Sequence, residues 1–166
     1  MVNLQYLKDL YVKHPHLSAL TAEIALPGAK LIRLEHLRAS AFSFIATTVF
    51  KQLEYNHVFV LDDKETAAYY HNDFETLSDA LDICLFPDSY KKTGYPGELN
   101  PSHVMLRADA MLKFQHTDAK RKVWFTYPEA LLEKVVNTDS FARNTLYIRQ
   151  GEKLDMDFLL EFLVSM

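Results

Sequence analysis

The chain has 166 residues, 49% hydrophobic and 13% aromatic, which is apolar material for one packed domain and a fragment of a second, and too much for disorder. Its 18 lysines and arginines against 22 aspartates and glutamates leave a net charge of −4, dispersed along the chain, which argues against a dedicated nucleic-acid binder. One cysteine, Cys84, excludes an internal disulfide and a cysteine-based zinc site; without a signal-like N-terminus or a membrane-length apolar run, the expectation is a cytoplasmic protein with no membrane partner.

Asn3 is placed to cap a first helix in which Leu4, Leu7, Leu10 and Tyr11 recur at helical spacing. Pro15 suits the first turn of a second helix through Ala25, closed by "LPGAK". Strands and helices then alternate. Residues 31–34 read as a strand and about 38–54 as a helix. "HVFVL" (57–61) reads as a strand with both faces buried, and Asp62 or Asp63 caps the helix that follows. "LDICLF" (81–86) is the next strand, followed by a Pro- and Gly-bearing loop over 87–101 and a helix to about Phe114. "KVWFTY" (122–127) is a strand, "PEALLEKVV" a helix opened by Pro128, "TLYIRQG" a strand or edge strand, and Asp155 caps a last amphipathic helix. This alternation predicts an α/β fold, a mostly parallel sheet covered by helices on both faces.

The junction after residues 31–34 is where many α/β proteins carry a phosphate loop, G-x-x-x-x-G-K-[ST]. Its glycines let backbone N–H groups crowd the phosphates, its lysine neutralises them, and its hydroxyl holds magnesium. Residues 34–41 read "LEHLRASA". Leu34 and Ala39 stand at the glycines, Ser40 at the lysine and Ala41 at the hydroxyl position, with Leu37 between. A shift of one puts Ser40 at the hydroxyl position and Ala39 at the lysine. Glu35 adds negative charge, and Arg38 reads as a solvated arginine. The junction keeps a nucleotide-binding architecture without its chemistry, so no cofactor is expected.

Other constellations are weaker. The seven histidines (14, 16, 36, 57, 71, 103 and 116) are scattered without an H-E-x-x-H pattern, and no metal site is expected. Cys84 lies in an apolar run and reads as a core thiol, Ser89 lacks a nucleophile-elbow surround, and Asp62 and Asp63 read as helix caps rather than ligands of a metal or ribose. No catalytic residue is assigned. Tyr90, Lys91, Lys92 and Tyr95, in the loop 87–101, combine aromatic and basic character suited to a nucleic-acid or partner surface. Lys120, Arg121 and Lys122 read as a solvated turn.

Taken in order, "HVFVLDDKETAAYYHNDFETL", "LFPDSYKKTGY", "LRADAML", "VWFTYPEALLEKVV" and "TLYIRQGEKLDMDFLLEFL" resemble the N-terminal module of the bacterial transcription-repair coupling factor, Mfd. They are more distantly similar to the first domain of the excinuclease helicase subunit UvrB. The resemblance covers roughly residues 15–166. It implies a P-loop-NTPase-like topology with a degenerate phosphate loop, as residues 34–41 have; UvrB-like chains keep a working loop there. It also implies that the 87–101 loop is too short to be the damage-probing hairpin of UvrB. The domains it implies are 1–144, a degenerate UvrB-like domain, and 145–166, the opening strand and helix of a UvrA-docking domain, truncated at Met166 so that the chain's own UvrA affinity is weak. The function it implies is a non-catalytic scaffold in transcription-coupled nucleotide excision repair that supports UvrA recruitment. RNA polymerase and DNA are met by other domains of an ATP-driven translocase. The alternatives are a small nucleotide-dependent or hydrolytic α/β enzyme, and a weak DNA-contacting module using Lys91, Lys92 and Tyr95.

Overall fold

The computed structural model describes residues 3–78, 83–90, 97–115 and 121–165. The chain divides into two compact units, Met1–Glu133 and Lys134–Met166. The first unit is α/β. Helices α1 (Leu4–Val12) and α2 (Pro15–Ala25) open it, followed by α3 (Ala41–Gln52), β1 (His57–Val60), α4 (Lys64–Leu77), β2 (Ile83–Leu85), α5 (Pro101–Gln115), β3 (Val123–Thr126) and α6 (Pro128–Leu132). Local chemistry sets the starts of several helices: Asn3 accepts from the Gln5 N–H at 2.9 Å, and Asp63 accepts from the Thr66 N–H at 2.7 Å.

The three strands form one parallel sheet in the order β1-β3-β2, with His57 and Ile83 both opposite Val123. Central β3 is buried along its whole length. On one face, Phe59, Val123, Phe125, Ile83 and Leu85 pack against Ala46 and Phe50 of α3 and Phe74 of α4. Phe74 touches Phe50, Phe59 and Phe125 with ring centroids 5.6, 5.9 and 5.5 Å apart. On the other face, Ala110 of α5 covers Cys84 and Trp124.

Several expectations need correction. Residues 31–34 are not a strand: they pair with nothing in the sheet, and Leu31 is 99% exposed. β1 is therefore an edge, and its second face is not buried, since Val58 and Val60 are 58% and 53% exposed. A run apolar at every position does not by itself supply the second covering layer. The helix from Pro128 stops at Leu132 because Glu133 turns to an extended conformation, where its carboxylate meets Ser89 and Arg107. Lys120 lies outside the described residues, but the rest of the basic run is no solvated turn. Arg121 Nη1 donates to the carbonyls of Phe50 and Leu53, and Lys122 is buried with its Nζ donating to the Lys113 carbonyl.

The second unit holds α7 (Thr138–Arg143), capped by Asn137 accepting from the Ser140 N–H at 2.8 Å, and α8 (Met156–Ser165), with Asp155 accepting from the Asp157 N–H at 2.9 Å. Residues 145–151 are irregular, so the strand expected there is absent, and α7 was not expected. None of the described residues in this unit is buried. No helix among the described residues is long and apolar enough to cross a membrane.

Candidate functional site

Open parallel α/β sheets bind ligands beyond the carboxyl ends of their strands, and two groups of residues are candidates in the first unit. The first is the segment read as an emptied phosphate loop. Leu34 and Leu37 are 45% and 39% exposed, and Ala39 is exposed, while Ser40 and Ala41 are half-buried at the start of α3. Two residues that are not glycine take left-handed backbone: His36 at φ 63° and Ala39 at φ 48°. Ala39 stands at the position of the second glycine of the G-x-x-x-x-G-K-[ST] pattern and holds a left-handed backbone that a Cβ strains. Ser40 precedes α3 without a side-chain capping bond, and the Ala41 N–H is taken by the Arg38 carbonyl at 3.1 Å. Glu35 pairs with Arg33 at 3.0 Å, both well exposed. A shallow cleft of about 410 Å³ beside this segment is walled by Tyr11, His14, Leu17 and Leu34. The sequence places no lysine there, and the hydroxyl nearest the turn belongs to Ser40.

The second group lies directly past β2 and β3 and is held by α5. His103, Arg107 and Ala110 form the buried side of that helix, at i, i+4 and i+7. Arg107 Nη1 donates to the carbonyls of Pro87 at 2.7 Å and Ala130 at 3.1 Å. Its Nε lies 3.7 Å from Glu133 Oε1, and its guanidinium sits 4.1 Å above the Phe86 ring. Glu133 Oε2 accepts from the Ser89 N–H at 2.7 Å. The Tyr127 hydroxyl accepts from the Asp88 N–H at 2.9 Å and donates to Asp88 Oδ1. Burial, followed by that bond to the carboxylate, pushes the Tyr127 hydroxyl far above its ordinary pKa, so it remains a neutral donor. His103 Nδ1 lies 2.7 Å from the Asp88 carbonyl, which can only accept, so the proton sits on Nδ1. Arg107 Nη2 is buried without a hydrogen-bond partner.

This second group is a buried polar cluster. Its carboxylates and the Tyr127 hydroxyl engage backbone groups and one another, and the Ser89 N–H donates to Glu133. Cys84 is buried at 3% exposure, as expected of a core thiol. Among the described residues no group of three or more histidines, cysteines or carboxylates stands close enough to hold a metal. Of the proposed nucleic-acid or partner surface, Tyr90 is 46% exposed and bridges Leu99 in an antiparallel pair, while Lys91, Lys92 and Tyr95 lie outside the described residues. Sequence reasoning missed the roles of Asp88, His103, Arg107, Tyr127 and Glu133. The available signal was the placement of His103 and Arg107 on the same helical stripe as Ala110. No protein-family model, no curated protein and no solved structure matches the chain.

Proposed function

We propose that the chain is the UvrB-like N-terminal module of a transcription-repair coupling factor, a non-catalytic scaffold that supports UvrA recruitment in nucleotide excision repair. Its topology in this reading is that of a P-loop NTPase whose phosphate loop has been emptied. UvrA and the remaining domains of the full-length protein are its partners, and RNA polymerase and DNA are engaged by those other domains. The observation that carries the reading is the turn at residues 34–41. Ala39 holds a left-handed backbone at a glycine position, while the lysine and hydroxyl positions hold Ser40 and Ala41. A parallel three-stranded sheet with helices on both sides agrees with it, as does the ordered series of segments from "HVFVLDDKETAAYY" to "TLYIRQGEKLDMDFLLEFL".

The reading is tested by titrating the purified chain with Mg-ATP in a calorimeter up to millimolar nucleotide. No saturable heat is expected, because no lysine meets the phosphates and no glycine pair lets backbone donors surround them. Saturable binding would overturn it and put the nucleotide-dependent enzyme in first place.

A further inference from the structure

Residues 86–89 leave β2 and belong to no helix or strand, yet every backbone polar group in the stretch has its own partner. Phe86 donates to the Phe125 carbonyl at 2.8 Å and accepts from the Thr126 hydroxyl at 2.9 Å. The Pro87 carbonyl takes Arg107, the Asp88 N–H takes the Tyr127 hydroxyl, and the Asp88 carbonyl takes His103. The Ser89 N–H takes Glu133, and the Ser89 carbonyl accepts from the Asn100 N–H at 2.8 Å, which ties together the two ends of the 87–101 loop. We propose that residues 87–89, gripped by Arg107, His103, Tyr127 and Glu133, form a latch that opens as one unit while the sheet stays folded.

Two features make the grip one unit. Its side chains hold one another as well as the loop, because Glu133 engages both Arg107 and Ser89, and Tyr127 engages Asp88 twice. Losing one member leaves the others buried without partners, so the bonds fail together. Two further features separate it from the sheet. The bonds that grip residues 87–89 come from side chains and from Asn100, not from the β2–β3 ladder, which ends at Leu85 opposite Phe125. The closed state also buries Arg107 Nη2 unpaired, and opening returns that donor to water. A local opening below the cost of global unfolding follows. It stands whether or not the repair reading does.

Native-state hydrogen exchange on the whole chain tests it, with the Asp88 and Ser89 amides compared with those of Trp124 and Phe125. Tyr127→Phe removes a partner of Asp88 only, yet it is expected to speed exchange at both Asp88 and Ser89 by about tenfold, the factor a buried hydrogen bond is worth. The β3 amides should be unchanged. Acceleration at Asp88 alone means independent bonds, and equal acceleration in β3 means no local unit; either result overturns the latch. Glu133→Ala, which removes the acceptor of the Ser89 N–H and no partner of Asp88, serves if Tyr127→Phe does not fold. It must speed Asp88 as well, and an unchanged Asp88 amide overturns the proposal.

Discussion

Arg121 caps a helix that ends about 70 positions before it. Its Nη1 donates to the Phe50 carbonyl at 2.6 Å, and its guanidinium lies 4.9 Å above the Phe50 ring. The same nitrogen reaches the Leu53 carbonyl at 2.9 Å, so one cation satisfies carbonyls that α3 leaves open at its C-terminus and favours the negative end of its dipole. The contact also fixes the entrance to β3 against the exit of α3. Arg121→Ala is expected to lower unfolding stability by about 2 kcal/mol, in the range of hydrogen bonds from a charged group. Arg121→Lys should recover less than half of that, because an ammonium lacks the planar fork. Urea denaturation of the three proteins measures both.

The left-handed turn at Ala39 makes a second prediction. A Cβ in this conformation costs roughly 1–2 kcal/mol, and a glycine costs about 0.5–1 kcal/mol in extra unfolded-state freedom. Ala39→Gly is therefore expected to stabilise the chain by about 0.5–1 kcal/mol, seen as a higher denaturation midpoint at unchanged slope. A loss of stability would mean that residue 39 does not hold this φ in solution.

Acid should weaken the fold through two histidines. Burial, followed by the positive charge of Arg121, lowers the His57 pKa from 6.5, and its Nε2 is buried without a partner. Burial also lowers His71, with Glu75 opposing and Lys113 reinforcing the shift. The unfolded chain then binds protons that the folded chain refuses. Stability is at its plateau above pH 6.5, falls as the pH drops below that value, and levels off below the folded-state pKa values. His57→Leu removes one of these groups, so its unfolding free energy should vary less between pH 7.5 and pH 5 than that of the parent chain. Equal pH dependence in the two proteins would contradict the burial of His57.

Much of the first unit was legible in the sequence because its signals are local. Asn3, Pro15 and Asp63 start helices through their own backbone and side-chain chemistry, and the apolar cores of 57–60, 83–85 and 123–126 became strands. What failed depends on partners distant in sequence. Residues 31–34 and 145–151 have strand-like composition, but a strand exists only through its neighbours, and neither segment has one. Val58 and Val60 are exposed because β1 ended at the edge of a three-stranded sheet, which periodicity does not encode. Lys122 read as part of a solvated turn, yet it is buried, because the carbonyl of Lys113 in another element receives it.

The central claim is that this chain serves transcription-coupled repair. The most direct measurement disrupts its gene in the organism that encodes it and follows removal of ultraviolet lesions separately on the two strands of an expressed gene. The account predicts that the faster repair of the transcribed strand is lost while the other strand is repaired at its usual rate. Preserved strand preference would contradict it.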